Sequence, residues 1–282
     1  MKEYKTILRF SFLSIKEELR SVNIYIFLVI IFFVIQFCFS GVGAYLNHNN
    51  DSMNIFELYI WFMTTSNSQI IYLIGIFFLA RGVVFFNLGS AYYLLRTNKK
   101  TWIASQMVYI FFIVAAYNLF LILSLCIACG TSLNLSNNWS NAAITACQFG
   151  ADAIRIKPIV SAPFRILQCN PNFIGLVTFL LSLLIGTCVG IVIIYFTIKN
   201  RVVYGIFSIF GVWFLDLLIE NNPSFKNGTY VSPFGLSRVA RLSLNSAGPS
   251  LWYAIVFNLC LIIILIQVLM EISKKIDFVK LE

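Results

Sequence analysis

The stretch Ile24-Tyr-Ile-Phe-Leu-Val-Ile-Ile-Phe-Phe-Val-Ile-Gln-Phe-Cys-Phe-Ser-Gly-Val-Gly-Ala44 holds twenty-one residues without a charge. At about 1.5 Å per residue it makes a helix of roughly 30 Å, the thickness of a bilayer's hydrocarbon core. Working outward from it, apolar runs of spanning length recur at residues 102–129, 173–198, 202–219 and 252–270. The chain is 60% hydrophobic, 16% aromatic and only 11% charged, more apolar surface than a soluble globule of 282 residues can bury. These runs predict an all-α, polytopic membrane protein with a single transmembrane domain over residues 1–282.

A further run is interrupted. A span over 69–86 places Arg81 inside the membrane near one end, whereas 59–80 leaves Arg81 at the surface and takes in the polar run 64–69. The first boundary is preferred, and the count is six transmembrane helices.

Basic residues orient these spans. With the N-terminus inside, the cytoplasmic side holds Lys2, Lys5, Arg9, Lys16, Arg20, Arg96, Lys99, Lys100, Lys199, Arg201, Lys274, Lys275 and Lys280. The opposite side holds Arg155, Lys157, Arg165, Lys226, Arg238 and Arg241. Thirteen against six, with Arg81 set aside, is a positive-inside bias that puts both termini in the cytoplasm. The net charge of +9 then reflects topology and contact with anionic lipid, with no role for nucleic acid.

Tyr4, Ile7, Leu8, Phe12, Ile15 and Leu19 recur at helical spacing, with Lys5, Arg9, Lys16 and Glu17 on other faces. Residues 1–22 therefore predict an amphipathic helix lying along the inner leaflet, the alternative being a solvated helical tail. Charges throughout the first twenty residues and the length of the following run speak against a cleaved signal peptide.

The longest segments between spans, 130–172 and 220–251, are too short for a nucleotide-binding fold. No GxxxxGK[ST], HExxH or GxSxG pattern occurs, and the one histidine, His48, falls in an outside loop. No catalysis, cofactor or metal is expected of this chain itself. Of seven cysteines, Cys38, Cys126, Cys188 and Cys260 lie in apolar runs, where cysteine behaves as a small hydrophobe. Cys126 and Cys129 form a CxxC without the βαβ setting of a redox motif. Cys147 and Cys169 share the outside segment 130–172, where an oxidising exterior permits a bridge that spacing alone does not establish. The sequons at Asn50, Asn134, Asn138 and Asn227 read as polar loop sequence, and the Ile-, Phe-, Asn- and Lys-rich composition looks bacterial.

The stretch Tyr92-Tyr-Leu-Leu-Arg-Thr-Asn-Lys-Lys-Thr-Trp102 precedes and opens the third span. It resembles the coupling-helix region of type-2 ABC exporter permeases: an apolar pair, an Arg, a polar turn, a basic pair and an aromatic residue re-entering the membrane. The resemblance extends to the architecture, an elbow helix followed by six spans with both ends inside. Asn138-Trp-Ser140 matches the Trp-Ser often found in that family's long third-to-fourth loop, and Pro233-Phe-Gly-Leu-Ser-Arg238 resembles its re-entrant hairpin. One departure is that Arg81 and Asn87 stand where the family usually carries an acidic residue.

The resemblance implies a permease subunit in a bacterial cytoplasmic membrane. A second permease, identical or related, and two cytoplasmic ATPase subunits would complete the assembly. ATP and Mg would be bound by those ATPase partners. Residues 87–101 would be the coupling region, with Leu88, Tyr92 and Leu95 on its apolar face and Arg96, Lys99 and Lys100 at its basic end. A loop held by anionic lipid is the alternative for the same residues. Arg81 and Asp216 are costly charges within spans: either they line a subunit seam or translocation path, or they sit at the two interfaces. Two rival functions stand beside the exporter, a receptor or immunity protein binding a peptide through its outer loops and a channel-like oligomer. The sequence carries no motif for a particular substrate among peptide, lipid, drug and glycan.

Overall fold

A chain in hydrocarbon must satisfy its own backbone donors and acceptors, and the apolar runs here do so as helices. The computed structural model describes residues 2–80, 98–154, 164–199, 201–242 and 248–275. In chain order its α-helices are α1 (Lys2–Glu18), α2 (Val22–Phe39), α3 (Val42–His48), α4 (Glu57–Thr64), α5 (Ser66–Ala80) and α6 (Lys99–Cys129). Then follow α7 (Asn141–Phe149), α8 (Pro171–Ile198), α9 (Val202–Asn221), α10 (Pro233–Leu236) and α11 (Leu251–Lys275). Among the described residues, α2, α6, α8, α9 and α11 are each long and apolar enough to cross a bilayer, and α4 with α5 would be a sixth span if counted as one. The protein is an all-α, multi-pass membrane protein.

The interrupted run is a broken helix. α4 and α5 meet at a 92° bend, with Thr65 extended between them (φ −91°, ψ 135°). A break leaves carbonyls without helical partners, and hydroxyls of the polar run supply donors. Thr64 and Thr65 donate to the Trp61 carbonyl at 3.0 and 3.1 Å, and Ser68 donates to the carbonyls of Phe62 and Thr65. The expectation of a span opening at Gln69 is thereby corrected. The helix begins at Ser66, the apolar α4 precedes it, and within the polar run Thr64, Ser66, Ser68 and Gln69 are buried while Asn67 is exposed. Residues 81–86 lie outside the described residues.

α8 is the centre of the bundle: 83% of its apolar window is buried, against 22% for α9 and 11% for α11. Its small residues allow this. A Cβ placed on Gly190 would stand 2.4 Å from Ile110 Cγ2 of α6, and one on Gly186 would stand 2.6 Å from Val114 Cγ1 of α6 and from the Tyr72 hydroxyl of α5. The Gly186–Gly190 spacing thus brings three backbones together as small-xxx-small packing does in membranes.

Buried polar groups pin the register. The Tyr59 hydroxyl donates to Asn118 Oδ1 (2.9 Å) and lies 2.7 Å from Ser182 Oγ, while Tyr72 donates to the Ser182 carbonyl (2.7 Å). These pairings join α4, α5, α6 and α8 in one network.

α2 shows the other environment. Ile24, Phe27, Ile31, Ile35 and Cys38 form its buried stripe, and Tyr25, Val29, Phe33 and Phe37 are exposed on the far side. A helix apolar all round, with one face exposed, suits contact with lipid. The end of the bundle holding Lys99 is called basal below, and the end holding Cys129 apical.

Candidate functional site

Asp216 and Glu220 stand four apart on α9 and share a face near its apical end. The chain then doubles back through a 3-10 turn, Pro223–Tyr230, to the single turn of α10. Ser232 caps α10 by accepting from the Gly235 amide (3.1 Å), with Pro233 fixing the first turn. A further 3-10 turn, Val239–Arg241, aims two arginines at α9.

The result is a closed square of ion pairs. Arg238 Nη1 lies 2.8 Å from Glu220 Oε2, Arg241 Nη1 2.9 Å from Asp216 Oδ1, and Arg241 Nη2 2.7 Å from Glu220 Oε2. Arg238 Nη2 pairs with Asp216 Oδ2 and completes it. Its charges sum to zero. Exposure is graded across it: Arg238 is 0% and Asp216 1% exposed, Arg241 13% and Glu220 40%.

Burial, and next the nearby Arg241, push the Arg238 pKa down, which is the cost the two carboxylates offset. Ser232 Oγ adds a bond to Asp216, and Ser66 Oγ bonds both Arg238 and Glu220. Gln69 Nε2 donates to Ser237 Oγ at 3.1 Å. Through Ser66 and Gln69 the square is docked on the break between α4 and α5.

A second buried carboxylate fastens the apical cap. Glu57, 0% exposed, accepts from the amides of Asn54 (3.0 Å) and Ser140 (3.1 Å) at Oε1 and from the Ser140 hydroxyl (2.6 Å) at Oε2. Ser140 also caps α7, accepting from the Ala143 amide at 3.0 Å, so one residue ties α4 to α7. Beside it, β1 (Met53–Asn54) and β2 (Leu133–Asn134) pair in parallel, Met53 with Leu133 and Asn54 with Asn134. The Trp139 indole donates to the Cys169 carbonyl (2.7 Å). The Trp-Ser pair is thus structural mortar of the cap.

At the basal end α1 packs along the start of α6. Ser11 Oγ donates to the Ser105 carbonyl (2.8 Å), and Phe12 stacks with Phe112 at 6.1 Å between ring centres. Tyr4 and Leu8 stay exposed on α1, as does Leu19 just past its end. Asn98 caps α6, accepting from the Lys100 amide, and Lys99 and Lys100 form the helix's first turn. The other residues expected to form a coupling region, Leu88, Tyr92, Leu95 and Arg96, lie outside the described residues, as does Arg81.

Of the two charges expected within spans, Asp216 is the one among the described residues, and it is buried between two arginines. Cys147 and Cys169 are free thiols. Burial, and after it the charge of Glu57, pushes Cys147 up to about 11.

The square itself escaped the sequence reading, although Asp216/Glu220 at four apart and Arg238/Arg241 at three apart gave a signal of matched spacing and opposite charge. Glu57 gave none beyond being an acid at the edge of an apolar run. No protein-family model, curated protein or solved structure matches this chain.

Proposed function

We propose that this chain is the permease subunit of an ABC-type exporter, driven by separate cytoplasmic ATPase subunits that bind ATP and Mg. The observation that carries the reading is basal. An amphipathic helix, α1, lies against the first turns of α6, and α6 begins directly from residues 87–101, whose sequence resembles a coupling helix. Force applied to 87–101 would enter α6 and α1 together. From there it would reach α8 through the close Gly186–Gly190 contact, because packed helices move as units rather than deform. Six spans, cytoplasmic termini, a second permease copy and a bacterial cytoplasmic membrane belong to the same proposal.

Affinity purification of the tagged chain from its own membranes, after cross-linking, tests it. The expected result is co-purification of an ATP-hydrolysing subunit that lacks apolar spans. Recovery of the chain alone, or with a bound peptide and no ATPase activity, supports the receptor reading instead.

A further inference from the structure

The chain that leaves α9, Asn221-Asn-Pro-Ser-Phe-Lys-Asn-Gly-Thr-Tyr-Val231, has Lys226 as its one charged residue. Phe225 is 58% and Val231 68% exposed, and Tyr230 is exposed beside them. Apolar side chains gathered like this are costly to keep in water and mark a surface that meets something apolar.

Two contacts fix the level of the turn. On one side Gly228 packs on α9, where a Cβ would stand 3.0 Å from Ile219 Cδ1. On the other, the Tyr253 hydroxyl donates to the Tyr230 carbonyl (2.9 Å), and the two rings meet edge to face at 5.9 Å. Tyr253 belongs to the first turn of α11, where its amide donates to Ser250 Oγ (3.2 Å). The turn is thus held beside the apical ends of α9 and α11, two helices long and apolar enough to cross a bilayer. That is the level at which hydrocarbon gives way to water.

The surface of α11 indicates what lies outside. Trp252, Val256, Leu259 and Ile263 follow one another at helical spacing, forming one stripe, and all four are exposed. On a spanning helix such a stripe suits acyl chains. Trp252, 76% exposed, stands at its apical end, and the Tyr253–Tyr230 contact brings the turn to that same end.

We propose that residues 223–231 are an interfacial anchor: they seat Phe225, Tyr230 and Val231, with Trp252, at the boundary between headgroups and acyl chains of the apical leaflet. The partner is phospholipid. Tyrosine and tryptophan suit that boundary, because each has an apolar body and a polar tip. Asn227, polar and exposed, stays among headgroups and water. The anchor rests on the membrane character of the protein and holds whether or not the chain is an exporter. Since the turn leads directly into 232–241, it also ties the segment bearing Arg238 and Arg241 to the lipid surface.

The test uses the full chain in phosphatidylcholine nanodiscs, with Phe225→Trp as reporter in a Trp252→Phe background. Its emission is the difference from the Trp252→Phe chain alone. Quenching is compared between lipid brominated near the glycerol end of its acyl chains, lipid brominated near their far end, and aqueous iodide. The first should quench about twice as strongly as the second, the order expected of a ring at headgroup level, and iodide should act weakly. Val231→Trp in the same background should behave alike, and it replaces the first reporter should Phe225→Trp lower the unfolding temperature. Strong quenching by iodide without a bromine effect would put the turn in water and overturn the proposal. Quenching by none of the three would mean that protein, such as a second copy of the chain, covers the patch, and overturns it too. Stronger quenching from the far end of the acyl chains also contradicts an interfacial seat.

Discussion

A methyl group on Gly235 would stand 2.7 Å from Asp216 Oδ1 and 2.9 Å from Arg241 Nη1. Neither oxygen nor guanidinium can retreat without giving up an ion pair. Gly211, nine residues before Glu220 on the same α9, has nothing within 4 Å of the equivalent position. The two glycines should therefore respond in opposite directions. Gly235→Ala is expected to cost about 1–3 kcal/mol, the usual range for overpacking. Gly211→Ala should be neutral, or stabilising by up to about 1 kcal/mol from helix propensity. Thermal unfolding of both variants in nanodiscs checks this, and equal effects would contradict the geometry. At this scale the sequence was only partly legible. Asp216 stood out as an acid among apolar residues, but its partners are 22 and 25 residues further on, and only the return of the chain through α10 brings them there. Glu57 was silent because its partners are backbone amides and a serine, which no spacing of charged residues reveals.

At the scale of elements, length and apolarity carried most of the reading. The runs at 102–129, 173–198, 202–219 and 252–270 fall within helices Lys99–Cys129, Pro171–Ile198, Val202–Asn221 and Leu251–Lys275. Hydrophobic length is a strong signal because hydrocarbon leaves the backbone so few conformations. The first run, 24–44, is divided into α2 and α3 at Ser40–Gly41, and Thr65 separates α4 from α5 ahead of the preferred second run 69–86 and inside the alternative 59–80. Thr65 is tolerated because hydroxyls close the freed carbonyls, and that accounting is invisible in a hydropathy profile. The centrality of α8 was equally hidden, since its mean apolarity resembles that of α2. Its small residues mark it: Gly190 faces Ile110, with a Cβ at 2.4 Å. Gly190→Val should force α8 and α6 apart and lower stability by about 1–3 kcal/mol. Ile110→Ala in the same chain should restore part of that loss, where simple additivity of two harmful changes would deepen it. A double-mutant cycle by thermal unfolding separates the two outcomes.

For the whole molecule, the account joins a basal end resembling a coupling region to an apical end closed by Glu57 and the charge square. The described helices give the protein its membrane character, and the proposed orientation rests on the thirteen-to-six asymmetry of basic residues. A membrane-impermeant thiol reagent applied to intact cells should label Ser140→Cys weakly and Asn227→Cys strongly, because Ser140 is buried at 4% exposure and Asn227 is exposed. Asn98→Cys should stay unlabelled until the cells are opened. Ready labelling of Asn98→Cys in intact cells would invert the topology and remove the cytoplasmic ATPase from the account. The coupling residues concentrate the central claim. Tyr92 and Leu95 are three apart, so on a helix they would share a face, with Leu88 one turn back. In the proposed coupling role such apolar anchors would dominate the interface, while Arg96, Lys99 and Lys100 at the rim would act chiefly through salt-sensitive association. The most direct measurement is ATP hydrolysis co-purifying with the full chain in nanodiscs, wild type against a Tyr92→Ala, Leu95→Ala double variant of equal thermal stability. The account predicts that the wild-type chain retains the ATPase and the double variant loses it or leaves hydrolysis unlinked to transport. Equal retention and equal transport in both would contradict it.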